Sequence, residues 1–555
     1  MTADPTFIYP AALVRTMDPA RPTAKAVAVR GNRIRAVGTV EELQSYPNTV
    51  IDDRYADRVI VPGFVEAHSH NFGGGLWNLT YVGRFERTAP DGRRWPGCDS
   101  VDAVLARLRD IEAGMPTDGS ALLAWGLDPI YYPGEDVTAA ELDTVSTTRP
   151  IVIMHASGHL SVVNSFALAE SEITAATDVV GVRKHADGTP TGVLAEPAAM
   201  SLVKASATDI ARGLNASTFE NFAADAVNQG VTTVTDLGSA LVYDDALLTE
   251  LASIVNDSFP MRVSTFGFGG MPGLGAPADA AERVAAIRDR STDRLRLGHV
   301  KLILDGSIQG FTARLQEPGY LGDEPNGMWV TDPAAFEQTF AEFHRAGLTI
   351  HVHCNGDQAT QVFIEVLERT LAEYPRWDHR HTVTHSQLTT AAQYKRLASL
   401  GACANIFANH IWTWGDQHYD TILGPDRASR MNAAATALRS GVPISLHSDT
   451  PVTPLGPLQT IKHAVTRLTP SGRVLGAEER ITAEQALHAV TLGGAYMLKM
   501  DHEVGSIEAG KLADFAILDA DPLTVPATEI GEIGILGTVV GGTHYAAAAA
   551  PVLVG

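Results

Sequence analysis

Short apolar runs, separated by longer amphipathic stretches, dominate the pattern of hydrophobic and polar positions in the middle of the chain. Eight of these runs predict β-strands because they are short and β-rich. Most of the intervening stretches, such as DPAAFEQTFAEFHRAG and TAAQYKRLASLG, have the spacing of amphipathic helices. The predicted strands lie within Val59–His70, Gly230–Gly238, Met261–Gly270, Arg296–Gly306, Leu348–Cys354, His381–Gln387, Gly401–Trp412 and Val442–Pro451.

This alternation of strands and helices predicts an α/β fold with a parallel sheet. Eight strand–helix units favour a (β/α)8 TIM barrel. An open, doubly wound parallel sheet remains an alternative, because a count of strands does not show whether the sheet closes.

The hydrophobic pattern differs at the two ends of the chain, where short predicted strands alternate with turn-forming residues. They predict a small β-sandwich domain assembled from residues 1–61 and 501–555, which encloses a barrel over 62–500. About 160 residues separate the first and second predicted strands, which is too long for a simple connection. We therefore expect a large insertion after strand 1, a subdomain at about 72–225 that lies over the catalytic face.

Composition and charge narrow the classes of function. The chain has 555 residues, and its 42 Lys+Arg against 64 Asp+Glu give a net charge of −22. This balance disfavours nucleic acid or an anionic membrane as a partner and leaves a small-molecule substrate. Three cysteines cannot form a disulfide framework, and neither a signal peptide nor an apolar run of spanning length is evident. We expect a cytoplasmic protein; a homodimer or larger homo-oligomer is left open.

The sequence VPGFVEAHSH carries the strongest local signal. His68 and His70 are two residues apart, so in a strand both imidazoles project to the same side. Two imidazoles at the carboxyl end of a barrel strand suit a divalent transition metal. The spacing also arises by chance, so the other strand ends decide the interpretation.

Four other predicted strands also end in groups suited to a metal site. Lys301 lies among apolar residues, where it is useful only as a neutral amine or as a carbamate formed with CO2; the alternative is an ion pair with Asp305. His353 lies nearer the carboxyl end than its neighbour on the same face, His351, which is expected in the core or behind the site. The remaining strand ends supply His385 and Asp449, and His447 precedes Asp449 by two residues.

With these motifs in place, the chain resembles the metal-dependent amidohydrolase superfamily, in its YtcJ-like branch that includes N-substituted formamide deformylases. The resemblance covers nearly the whole chain. It includes PGFVEAHSH, the pattern over Gly158–Ser165, TPTGVLAE, GVTTVTDLG, KLILDGS, HVHCNGDQA, HSDTPV and GSIEAGKLADFAILDADP. The family implies a (β/α)8 barrel with a β-sandwich formed by both termini, in agreement with the prediction from the pattern.

The resemblance also implies a ligand set. His68 and His70 would bind a first metal together with Asp449, Lys301 would bridge two metals as its N6-carboxylated form, and His353 and His385 would hold the second. Zinc is the expected metal, one or two per chain; manganese, iron or cobalt also fit the donors. The Cys-Asn pair that follows His353 departs from the branch, as does the segment after Gly306, and both departures concern the lining of the pocket.

Such a centre predicts hydrolysis of an amide-type C–N bond by metal-activated hydroxide, with Asp449 as general base and then general acid and Lys301 as the second catalytic group. The substrate could be an N-substituted formamide, an N-acyl amine or an aryl amide. A cyclic amide, carbamate, ester or lactone is an alternative, as is an isomerase or deaminase reaction. A catalytically silent scaffold is the least favoured, since every expected ligand is present.

Several further residues have two interpretations each. His159 is a candidate substrate contact from the insertion, or a structural imidazole. Trp412 and Trp414 are candidate walls of an aromatic pocket, or ordinary packing. Asp357 is expected to cap a helix rather than to act in catalysis. Cys354 is expected to be a buried thiol on the opposite face of the strand from His353.

Overall fold

The computed structural model describes residues 5–134, 137–205, 216–270, 276, 278–322 and 324–548. Eight parallel strands form its central sheet, and each lies in or overlaps one of the eight predicted runs. Successive strands along the chain are neighbours in the sheet, and a parallel bridge between Ser69 and Thr450 joins its first and last strands. This order confirms the (β/α)8 barrel over the doubly wound alternative. The barrel strands, numbered one to eight below, are Phe64–Glu66, Val231–Ser239, Arg262–Phe268, Leu295–Ile303, Thr349–Cys354, Thr382–His385, Cys403–Ile406 and Ile444–Leu446.

The first predicted run divides into two strands at Gly63. Its first part, Val59–Pro62, joins the sheet made by the chain termini, and its second part, Phe64–Glu66, starts the barrel. A Cβ atom on Gly63 would lie 2.0 Å from the hydroxyl oxygen of Thr232, so only glycine fits where the chain passes between the two sheets.

Helices follow the barrel strands and cover the outside of the barrel. The predicted helix after strand four begins behind Asp332, whose carboxylate accepts from Ala334 N–H and Ala335 N–H. The helix after strand six begins with a capping box of Thr390 and Gln393. The helices between and after the barrel strands are Asp245–Ile254, Ala280–Ala286, Pro333–Arg345, Asp357–Glu373, Ala391–Ser399, Asn409–Gln417, Gly424–Ser429, Ala434–Arg439, Pro457–Thr466, Ala483–Ala489 and Leu492–Met497.

Strands from both ends of the chain form one mixed sheet of eight strands. A hairpin turns at Gly31, with Thr23–Arg30 antiparallel to Arg33–Gly38. One face of the sheet packs on its own apolar cluster, and Val59, Val61 and Ala516 pack into the barrel core. The strands are Thr6–Arg15, Thr23–Arg30, Arg33–Gly38, Thr49–Ile51, Val59–Pro62, Phe515–Leu518, Ile535–Val540 and Thr543–Ala546, with a short helix at Val40–Leu43.

Between barrel strands one and two the chain builds a six-stranded sheet with its own apolar core. The longest helix of this insertion within the described ranges is Val101–Gly114, capped by the side chain of Ser100. The strands are Thr80–Tyr81, Leu122–Leu127, Ile151–His155, Leu160–Val163, Val182–Lys184 and Pro190–Ala195, with a separate ribbon of Arg87–Thr88 and Arg94–Trp95. The other helices of this part are Gly73–Leu76, Ala139–Asp143, Ser165–Glu170, Glu196–Met200 and Ala216–Asn228.

Short helical turns complete the regular structure. Of the six such turns in the part of the chain that the structure describes, five are 3-10 turns, and the turn at His418–Ile422 is π-helical. The 3-10 turns are Pro129–Tyr131, Leu241–Tyr243, Ile287–Arg290, Ala477–Glu479 and Ala527–Glu532. Within the described ranges, none of the helices combines the length and the apolar character needed to cross a bilayer.

Candidate metal centre and active site

The residues predicted as metal ligands all line one cavity of about 410 Å3 at the carboxyl ends of the barrel strands. His68 and His70 lie just after strand one, and their rings are 5.4 Å apart. The other four lie near the carboxyl ends of strands four, five, six and eight, as the barrel topology requires. They are Lys301, His353, His385 and Asp449.

The carboxylate of Asp449 lies close to the imidazole rings of three of the predicted ligands. Its Oδ1 lies 3.1 Å from Nε2 of His68 and 3.4 Å from Nε2 of His70. Its Oδ2 lies 3.6 Å from Nδ1 of His385. The ring of His385 in turn lies 4.5 Å from that of His68 and 4.4 Å from that of His353, between centroids. The carboxylate therefore faces both halves of the predicted site.

The spacing of these donor atoms fits a transition metal. Ligands bound to a tetrahedral zinc ion at about 2.0–2.2 Å are roughly 3.3–3.6 Å apart, and His68, His70 and Asp449 supply donors 3.1 and 3.4 Å apart. One nitrogen atom, Nε2 of His385, is buried in the cavity and has no hydrogen-bond partner among the described residues. Unpaired buried nitrogen atoms are costly unless something binds them. The residues present fit a divalent metal.

Burial sets the protonation states that such a site needs. Burial, with the nearby charge of Lys301, holds the pKa of His68 and His353 well below the usual value, so both rings are neutral and have a lone pair for a metal. Burial opposes the charged form of Asp449, but its electrostatic interactions with the polar rings of His68 and His385 and its hydrogen bonds with His68 and His70 outweigh that effect and hold the pKa of that carboxyl well below its usual value.

Lys301 is buried at the end of strand four, and its ammonium nitrogen donates to Oγ1 of Thr384 at 3.2 Å. Burial lowers the pKa of Lys301 to about 7, so a large fraction is the neutral amine near neutral pH. The alternative pairing with Asp305 does not occur. The carboxylate of Asp305 instead accepts from the backbone N–H groups of Asn355, Gly356 and Arg314.

Contacts around His353 show what metal binding would replace. Nε2 of His353 lies 3.2 Å from the carbonyl oxygen of Gly306 and 3.0 Å from Nδ2 of Asn355. A metal held by Nε2 of His353 would take the place of both contacts. The departure from the family pattern at Asn355 is therefore in direct contact with a predicted ligand.

Two of the predicted metal ligands have an unusual backbone conformation. His385 has φ 69° and Asp449 has φ 56°, in the left-handed region that residues with a Cβ rarely adopt. Such conformations cost about 1–3 kcal/mol each and collect at functional sites.

Three residues near the site were missed by the sequence prediction. Glu66 is buried and accepts from the N–H and hydroxyl of Ser448, and burial raises its pKa to about 8. Glu66 lies two residues before His68, and residues two apart in a strand share a face, so the sequence could have indicated that it lies near the site. Asn405, on strand seven, receives the Nδ1–H of His447 at 2.8 Å and donates to the carbonyl oxygen of Ala67. The third residue is Glu196, the last residue of the motif TPTGVLAE.

His159 lies in the same cavity as the predicted ligands, with its ring 5.4 Å from that of His353. Its Nδ1 lies 2.8 Å from Oε2 of Glu196. Burial disfavours the charged imidazolium, but the charge and hydrogen bond of Glu196 outweigh it and raise the pKa of His159.

The two tryptophans occupy a different place from the histidines. Both lie on the helix Asn409–Gln417 and line a neighbouring cavity of about 800 Å3. Trp414 is buried and donates from Nε1 to Asp128 at 2.7 Å, and Trp412 stacks on His463. The structure therefore does not bring Trp412 and Trp414 into the cavity of the candidate metal ligands.

The remaining two expectations have opposite outcomes. Cys354 is buried in the barrel core, as predicted, and burial raises the pKa of its thiol. The prediction that Asp357 caps its helix is wrong, because Gly356 occupies the cap position. Asp357 is the first helical residue, and its carboxylate accepts from Gln316 N–H and pairs with Arg427, so it fixes a neighbouring loop instead.

Known proteins similar to this chain are found over nearly its whole length. It is 28% identical over 540 residues to Protein LONG AFTER FAR-RED 3 of Arabidopsis thaliana, covering 95% of this chain and 89% of that protein. It is 27% identical to the N-substituted formamide deformylase of Arthrobacter pascens, covering 95% and 96% of the two chains. The crystal structure of an uncharacterised metal-dependent hydrolase from Pyrococcus horikoshii has the same fold, with a TM-score of 0.70 and 19% identity over 94% of this chain and 99% of that one.

A match to the family as a whole carries more weight than any single relative. The amidohydrolase family matches residues 56–544, which include the barrel, the insertion and, from the terminal sheet, the strands Val59–Pro62, Phe515–Leu518 and Ile535–Val540. The chain is an enzyme of the amidohydrolase family.

Proposed function

We propose that the protein is a metal-dependent hydrolase that cleaves an amide-type C–N bond in a small molecule, such as an N-substituted formamide, an N-acyl amine or an aryl amide. The observation that carries the proposal is the convergence of His68, His70 and Asp449, with donor atoms 3.1 and 3.4 Å apart at the carboxyl end of a barrel. The name of the Arthrobacter pascens relative, an N-substituted formamide deformylase, supports this class of substrate.

The metal would be held by two groups of residues, and zinc suits their nitrogen and oxygen donors. His68, His70 and Asp449 would hold one ion, and His353 and His385 a second. Lys301, in its carboxylated form, would contribute an oxygen to each. When bound, the metal supplies a hydroxide nucleophile at neutral pH and polarises the scissile carbonyl.

Asp449 moves the proton in this proposal. Its low pKa keeps it ionised and able to accept a proton from the attacking water, and its position between His68 and His385 places it against both halves of the site. The same carboxyl then delivers that proton to the departing amine nitrogen, which would otherwise leave as a poor leaving group.

A substrate screen tests the proposal. Purified protein supplied with zinc is assayed for amine release from N-alkylformamides, N-acyl amines, aryl amides and cyclic amides, with esters of the same acyl groups as controls. The proposal expects turnover of at least one class of amide. Turnover of esters alone, or of no compound in the panel, would count against amide hydrolysis.

A further inference from the structure

A pair of polar side chains from the insertion faces the cavity of the candidate metal ligands. Nδ1 of His159 lies 2.8 Å from Oε2 of Glu196, and the backbone N–H of Glu196 donates to the carbonyl oxygen of His159 at 2.7 Å. His159 precedes the strand Leu160–Val163, and Glu196 directly follows Pro190–Ala195, so two strands of the insertion hold the pair. Both residues line the cavity.

The hydrogen bond to Glu196 decides which imidazole nitrogen is available. A carboxylate oxygen only accepts, so Nδ1 of His159 carries the hydrogen of this bond. Nε2 makes no hydrogen bond to any residue that the structure describes, and it is not among the enclosed, unpaired atoms. Nε2 is therefore the atom that His159 offers to a molecule in the cavity.

Glu196 is held in a costly arrangement that packing alone does not explain. It has φ 64°, in the left-handed region, which costs about 1–3 kcal/mol for a residue with a Cβ. It is only 4% exposed, and its Oε1 has no hydrogen-bond partner among the described residues. A Cβ atom on Gly306 would lie 2.6 Å from this Oε1, so the glycine, three residues after the end of strand four, leaves room for the carboxylate.

We propose that His159 contacts the scissile amide group through Nε2, and that Glu196 is the residue that positions it. This assignment rests on the amide hydrolysis proposed for the same site. It gives the insertion a part in substrate binding, because both residues belong to it while the candidate metal ligands belong to the barrel.

The test uses four variants and the amide that is turned over fastest in the substrate screen. His159→Gln removes the imidazole, and Glu196→Ala removes the group that holds it. Glu196→Gln restores an acceptor oxygen, and His185→Gln changes an exposed histidine of the same insertion as a matched control. The measurements are kcat and KM of the zinc-loaded enzymes, and Kd of the amide for the metal-stripped proteins by calorimetry.

We expect His159→Gln to raise the Kd and KM of the amide about tenfold, the loss of one hydrogen bond of about 1.4 kcal/mol. Glu196→Ala should match it, Glu196→Gln should recover part of the loss, and His185→Gln should behave as wild type. A loss shared by the matching ester assigns the contact to the carbonyl oxygen, and a loss confined to the amide assigns it to the amide N–H; both support the contact.

Unchanged KM and Kd in His159→Gln, beside an active wild type, would overturn the assignment and leave the proposed function intact. A zinc-loaded wild type that hydrolyses no amide would overturn the proposed function instead. In that case N-hexylformamide is the probe for the metal-stripped protein, and equal affinity, or no binding, in wild type and His159→Gln would overturn the His159 assignment as well.

Discussion

Nε2 of His447 lies 3.2 Å from Nδ1 of His385, and the other nitrogen of His447 donates to Oδ1 of Asn405 at 2.8 Å. Because Nδ1 of His447 carries the hydrogen, Nε2 of the neutral ring accepts the Nδ1–H of His385. The unpaired Nε2 of His385 is then left with a lone pair for a metal. This series of hydrogen bonds continues to strand one, because Asn405 donates to the carbonyl oxygen of Ala67. His68, His385 and His447 lie close enough together to hold a metal, but both ring nitrogens of His447 take part in these two hydrogen bonds, so His447 supports His385 instead.

Replacement of His447 should weaken metal binding. His447→Phe keeps the ring volume but removes the acceptor for His385, and loss of such a supporting contact typically costs about 10–100-fold in metal affinity. Zinc titration of the metal-stripped protein measures the change. His463→Phe removes another buried histidine, outside the cavity of the candidate ligands, and should leave zinc affinity unchanged. Equal zinc affinity in wild type and His447→Phe would contradict the proposal that these hydrogen bonds support metal binding by His385.

Lys301 should be essential because it is buried and its pKa of about 7 makes the neutral amine available for reaction with CO2. Lys301→Ala should abolish activity and lower the bound metal, and short carboxylic acids should restore part of both. Metal content by mass spectrometry and amide turnover measure the effects, with the exposed Lys395→Ala as the control. Full activity in Lys301→Ala would show that the lysine is only structural.

Asp449→Asn should separate metal binding from proton transfer. The amide keeps an oxygen near His68 and His70, but it cannot accept a proton at neutral pH. We expect bound metal close to the wild-type level and turnover reduced by about 10²–10⁴-fold. Near-normal kcat in this variant would remove Asp449 as the group that moves the proton.

The junction between the barrel and the terminal sheet depends on a buried ion pair. Nε and Nη2 of Arg262, in strand three, donate to Asp514 at 2.6 and 2.9 Å, and the two side chains are 1% and 2% exposed. Arg262→Met leaves a buried carboxylate without its cation and should lower the free energy of unfolding by about 3–5 kcal/mol. In the exposed pair with Asp245, Arg290→Met should cost less than about 1 kcal/mol. Equal urea midpoints for the two variants would contradict the predicted difference.

Stability should depend on pH through Asp128. Burial raises its pKa to about 7, and the hydrogen bond from Trp414 only partly offsets that effect. The folded protein therefore binds a proton that the unfolded chain, with a pKa of about 3.9, releases. Between pH 4 and 7 this group lowers the free energy of unfolding by up to about 1.4 kcal/mol per pH unit as the pH rises.

Asp128→Asn removes that contribution. The difference in unfolding free energy between the variant and wild type should grow in favour of the variant from pH 4 to 7 and then level off. Urea unfolding at four pH values measures it. A difference that stays constant over this range would show that Asp128 does not titrate with a raised pKa.

The barrel and the strand ends could be predicted because both depend on local signals. His68 and His70 share a face through their spacing alone, and Asp449 follows a recognisable strand. Asn405 could not be found in this way, because its contact with Ala67 joins strands seven and one across the barrel. The place of Trp414 depends on the direction of the helix after strand seven and on Asp128 in the insertion, which the pattern of that segment does not encode.

Glu196 shows a different limit of the sequence. It belongs to the motif TPTGVLAE, but its role depends on a left-handed backbone and on the space left by Gly306, a residue more than one hundred positions away. Contacts between the insertion and the barrel are set by packing of whole sheets, so the spacing of residues within either part does not predict them.

Amide hydrolysis by one protein sample carried through metal removal and reloading tests the central claim most directly. Amine release and bound zinc are measured together on the purified enzyme, after chelation and dialysis, and after zinc is added back in steps. We expect activity to disappear with the metal and to return in proportion to the zinc bound, up to two ions per chain, with no recovery in His68→Ala. Undiminished amine release from the metal-free protein would contradict a metal-dependent mechanism at this site.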